Sequence, residues 1–122
     1  MNKFPLLPVL LLTSSILGCG SSNRQLQSVT INSTVNGQQI QFVATGSFSA
    51  SPTTVTPLPV SWSYAPPPPE YTLTTQPFLF NCQQPQSPGP IVACAPADPN
   101  APSSGSMSST KMSCNSGPIP CP

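Results

Sequence analysis

The sequence predicts an all-β fold, a small Ig-like antiparallel sandwich whose second half is irregular and proline-rich. Three observations predict it. Residues Gln38 to Ser49 alternate apolar and polar side chains with a period of two. The pair Asn36-Gly37, the strongest short turn signal between strands, stands just before them. Fourteen of the 19 prolines lie at or beyond Pro66, which divides the chain into a patterned first half and a punctuated second half.

The chain opens with one cation, Lys3, followed by the apolar run Phe4 to Leu12, which has the length of a signal-peptide core. Extended to Leu17 the run is still shorter than the roughly 20 residues that span a bilayer, and Pro5 and Pro8 interrupt any helix it would form. It ends in Ile16-Leu17-Gly18-Cys19, which resembles the lipobox of bacterial lipoproteins. In that family a diacylglycerol is attached to the cysteine sulfur, the bond before it is cut, and the new amine is usually acylated. The resemblance implies a signal peptide over residues 1–18, lipidation at Cys19 and a place on the bacterial cell envelope. Gly20, where an Asp would imply inner-membrane retention, favours the outer membrane by the same resemblance. An ordinary secreted product would instead want an A-x-A-like cleavage site near the end of the apolar run, and none is there. Residues 19–24 then form the lipidated cysteine and its tether, Gly-Ser-Ser-Asn-Arg after Cys19 being short, polar and flexible.

Residues 25–122 are the candidate domain. Gln27, Val29 and Ile31 alternate with polar neighbours and predict a half-buried first strand. In the second, Ile40, Phe42, Ala44, Gly46 and Phe48 share one face, and Gln39, Gln41, Thr45, Ser47 and Ser49 share the other. A helix would scatter these apolar residues around its circumference, so the pattern requires a strand with one buried face. Ser51-Pro52 begins a polar connection, after which Val60, Trp62 and Tyr64 fall on one face of a third strand. Pro66 to Pro69 should extend as polyproline II, either as a stiff spacer or as a docking ligand. Tyr71 to Thr75, Phe78 to Phe80 and Ile91 to Cys94 offer short strands, and Ala95 to Thr110, rich in Pro, Ser and Gly, reads as a long surface loop.

The order Ser28-Val29-Thr30-Ile31, then Gly37 to Ser49, then Val60-Ser61-Trp62 is similar to bacterial Ig-like modules of the group 2 type. These open with an "sVtI" strand, continue through a "G..iqF.AtG.fs" strand and reach a "v.W" strand. The resemblance covers about a third of the chain, from Gln25 to Tyr64. It implies a non-enzymatic sandwich domain with its tryptophan on an inward strand.

Five cysteines are an odd number for an exported protein. Assigning Cys19 to lipid leaves Cys82, Cys94, Cys114 and Cys121, an even set and the candidates for two disulfides. Three connectivities are open, of which Cys82 with Cys94 and Cys114 with Cys121 is the local one. No C-x-x-C knuckle is present, and an oxidising compartment favours disulfides over zinc.

Charge is nearly absent: Lys3, Arg24 and Lys111 stand against Glu70 and Asp98, and there is no histidine. Removal of residues 1–18 would leave two charges of each sign, too few cations for a phosphate-tracking patch, so no nucleic-acid partner is expected. The same scarcity removes the acids and bases of catalysis, and no metal, cofactor or small-molecule substrate is expected. Ser108-Ser109-Thr110-Lys111 matches S-x-x-K, but the S-D-N and K-T-G elements that accompany this motif are missing. The expected function is a membrane-anchored envelope lipoprotein with a structural or protein-binding role and an envelope protein as partner. The alternative is a largely disordered, Pro-rich lipoprotein spacer.

Overall fold

The computed structural model describes residues 24–64, 66–83 and 89–121. It is all-β, with nine strands among the described residues: β1 Leu26–Asn36, β2 Gln39–Phe48, β3 Thr54–Val55, β4 Ser61–Tyr64, β5 Glu70–Thr72, β6 Phe78–Asn81, β7 Ile91–Pro96, β8 Ser104–Ser106 and β9 Met112–Gly117. All pairings are antiparallel. β2 is the centre of the first sheet, with β1 along one edge and β3 and β6 in succession along the other. A second sheet has the order β4-β7-β9, and β5 and β8 form a separate two-stranded ribbon.

β2 keeps the alternation its sequence predicts: Ile40, Phe42, Ala44, Gly46 and Phe48 are buried, and Gln39, Gln41 and Ser47 are exposed. The hairpin from β1 turns through Gly37 and Gln38, with Asn36 paired to Gln39. Gly37 has φ +65°, at the first central position of a two-residue turn, where a side chain would clash with its own backbone.

β1 corrects one sequence expectation. Leu26, not Gln27, is its first inward residue, because the register slips between Leu26 and Ser28 and leaves Gln27 as the extra, exposed residue of a bulge. Past the bulge, Val29 and Ile31 point inward as expected, opposite Gly46 and Ala44.

Two apolar clusters fill the space between the sheets. One holds Leu26, Val29, Ala44, Phe48, Leu58, Val60, Ala93 and Ala95, and the other Ile40, Phe42, Phe80 and Ile91. Ile31 and Trp62 pack against both and join them. Trp62 stands on the inner face of β4, its ring 6.3 Å from that of Phe42 and 6.0 Å from that of Phe78, and its indole N–H is enclosed with no acceptor among the described residues. Such an enclosed donor costs about 1–3 kcal/mol, which the ring's burial between the clusters offsets.

The proline-rich half supplies β5 to β9, all short. Ala95 and Pro96 complete β7, and Ser104–Ser106 forms β8, so the expected loop over Ala95 to Thr110 is interrupted at both places. The reason is tertiary. β9, whose sequence Met-Ser-Cys-Asn-Ser-Gly has almost no apolar alternation, pairs with six residues of β7 and draws the intervening chain back across the sandwich. On its inner face β9 carries Ser113, Asn115 and Gly117, small enough for β1 to approach, and the Asn115 amide donates to the Val29 carbonyl at 2.7 Å. That bond occupies part of the edge of β1, which would otherwise be open to pairing with another chain.

Gly46 tests the packing. A Cβ there would lie 2.8 Å from Leu58 Cδ1 and 3.0 Å from Leu26 Cδ1. Gly46→Val should lower stability by about 1–3 kcal/mol through overpacking, whereas Ser47→Val on the outer face should change it by less than about 0.5 kcal/mol. Equal losses in denaturant titrations of the two variants would contradict the assignment of faces.

Candidate functional site

The two ends of the sandwich differ in chemistry, and the β1–β2 hairpin separates them by on the order of 30 Å at about 3.3 Å per residue. Arg24 and the loop after β2 mark one end. The Arg24 guanidinium lies 3.8 Å from the centre of the Phe48 ring and donates to the carbonyls of Ala50 at 3.2 Å and Pro52 at 2.7 Å. Next to it, the Leu26 N–H donates to Ala97 at 2.7 Å, and the Ala97 N–H donates to Lys111 at 2.9 Å. Arg24, expected as the last residue of a loose tether, is therefore built into the domain. No sequence signal marks this contact, because Phe48 and Arg24 are brought together only by the β1–β2 register.

The same end holds a cleft of about 190 Å³ lined by apolar side chains, among them Phe48, Leu58, Leu73 and Ala95, with Arg24 and Asp98 at its walls. Its volume is below the roughly 300 Å³ at which drug-sized ligand pockets begin. The Asp98 carboxylate accepts from the Asn100 N–H at 2.9 Å and holds the turn that forms one wall.

The hairpin marks the other end. Here the Cys82 N–H donates to the Gln38 carbonyl at 2.6 Å, and Cys82 is bonded to Cys121 with 5.5 Å between their Cα atoms. This bridge ties the end of β6, in the first sheet, to the segment that follows β9, in the second. The other bridge, Cys94–Cys114, joins residues directly opposite one another in β7 and β9, with Cα atoms 4.1 Å apart. All four candidate cysteines are thus paired, in a long-range connectivity and not the local one. Cys19, the lipidation candidate, lies outside the described residues.

Towards the hairpin end the surface exposes Val35, Tyr64 and Leu79, the large apolar side chains left most open to solvent among the described residues. Tyr64 meets the edges of Phe78 and Phe80, with ring centres 6.2 and 6.4 Å away. The strands of this half, residues 31–43, 61–64, 78–83 and 114–121, contain no charged residue. The outer face of β1 and β2 is a lattice of uncharged polar groups, in which Asn32 donates to Thr45 at 2.9 Å and the Thr45 and Thr56 hydroxyls share a hydrogen bond at 2.8 Å.

Ser108 and Ser109 lie in a turn, where the Ser109 hydroxyl donates to the Ser106 carbonyl, and Thr110 and Lys111 follow it. Among the described residues no group of three or more His, Cys, Asp or Glu is placed to hold a metal ion, and no helix is long and apolar enough to cross a membrane. No known family model, curated protein or solved structure matches the chain.

The disulfide arrangement predicts that non-reducing peptide mapping will recover Cys82 with Cys121 and Cys94 with Cys114. Loops of 39 and 20 residues correspond to about 4 and about 3 kcal/mol in the loop-entropy account. Cys82→Ala/Cys121→Ala should accordingly melt at least as far below the parent as Cys94→Ala/Cys114→Ala.

Proposed function

We propose that this protein is a lipid-anchored lipoprotein of the bacterial cell envelope, with a non-enzymatic structural or protein-binding role carried by an Ig-like sandwich. The cysteine distribution is the observation that carries the reading. Four of the five cysteines are consumed in two bridges, and the fifth is the one that ends the apolar leader in Ile-Leu-Gly-Cys. A thiol left over in an otherwise fully paired exported protein calls for a separate chemistry, and attachment of lipid supplies it.

The sandwich supports the Ig-like part. β1 and β2 with β6 on one sheet, and β4, β7 and β9 on the other, follow the chain order of strands A, B and E against C, F and G in immunoglobulin-type domains, and Trp62 sits inward on the strand in the place of C. A packed core running from Leu26 to Ile91 favours this reading over a disordered proline-rich spacer. An uncharged surface with a few exposed apolar side chains at one end suits contact with a protein partner, where large aromatic and aliphatic groups supply most of the binding energy.

Cys19→Ala should abolish incorporation of a fatty-acid probe and leave the uncut precursor. Probe incorporation that persists in the variant would overturn the reading.

A further inference from the structure

We propose that the end of the domain built around Arg24 rests against the lipid surface, so that the hairpin end, with Val35, Tyr64 and Leu79, faces away from the membrane. This rests on the assignment of Cys19 as the lipidated residue. Four residues, Gly20 to Asn23, separate Cys19 from Arg24. Five Cα–Cα steps reach at most about 18 Å, little more than half the distance to the hairpin.

Arg24 fixes where this short segment leaves the domain. Its two bonds to the carbonyls of Ala50 and Pro52 and its stacking on Phe48 hold the root of the chain at the end of the sandwich. The groups nearest the lipid are then the Ala50 to Thr53 loop, the turn from Asp98 to Ala101 and Lys111. Arg24 and Lys111, the two cations that would remain after cleavage, both belong to this end, and Lys111 is exposed. Segments 31–43, 61–64, 78–83 and 114–121, towards the hairpin, offer anionic headgroups no cation. Lying flat would press the Thr, Asn and Gln lattice of the first sheet onto lipid, which desolvates polar groups without giving them partners.

The chain's composition provides a direct test. Once residues 1–18 are removed, Lys111 carries the only side-chain amine. The full-length acylated protein is reconstituted into vesicles of phosphatidylethanolamine with a minority of anionic phosphatidylglycerol that contain a headgroup spin-labelled lipid, with a small fluorophore on this amine. A second protein, Lys111→Arg/Gln38→Lys, moves the amine to the exposed hairpin, and Lys111→Arg alone subtracts label on any free terminal amine. The probe on Lys111 should be quenched severalfold more strongly than the probe carried by Gln38→Lys. Equal quenching, or stronger quenching at the hairpin, in protein that floats with the vesicles would overturn the orientation while leaving the anchor intact. Protein that does not float with them would overturn the anchor itself, and the orientation with it.

Discussion

The inward face of β2 is the constraint on which the rest of the sandwich depends. Five consecutive alternate positions, Ile40 to Phe48, are buried along a strand that pairs with β1 on one side and with β3 and β6 on the other. A slip of one residue would turn all five towards solvent and bring Gln39, Gln41, Val43, Thr45 and Ser47 inside. The register of three neighbouring strands is therefore set by one. The two apolar clusters are successive segments of the same face, Phe48 and Ala44 contributing to one and Ile40 and Phe42 to the other.

Where a strand's own side chains determine its burial, the sequence was legible. β2 declares itself by period, and β7 by an apolar run between prolines. β4 follows from Val60, Trp62 and Tyr64, whose shared face is the inner one, although Tyr64 is left half open at the rim. β1 was legible in existence but not in phase, since a bulge changes the count of residues without changing their types. β8 and β9 were not legible. Ser104-Gly105-Ser106 and Met112 to Gly117 carry no hydrophobic period, and they are strands because β5 and β7 present them with an unpaired edge.

The same distinction governs the site. The cysteines were evident by count, but their pairing follows from the β7–β9 register and from the meeting of β6 with the C-terminal segment, neither of which spacing along the chain encodes. Arg24 reads as tether from sequence because Gly, Ser and Asn precede it. Its partners, Phe48 and the carbonyls of Ala50 and Pro52, lie 24 or more residues away and arrive only when the hairpin closes.

The bridge between Cys82 and Cys121 places the C-terminal segment at the hairpin end, opposite Arg24. With the anchor proposed above at Cys19, a pull between it and anything grasping the far end would be directed along the strands. Ladder hydrogen bonds lie perpendicular to that direction, so they are loaded in shear and must yield together, not one after another as in unzipping. A domain anchored and threaded in this way would act as a stiff mechanical link, and the covalent tie at its tip would keep the last strand from being peeled off first.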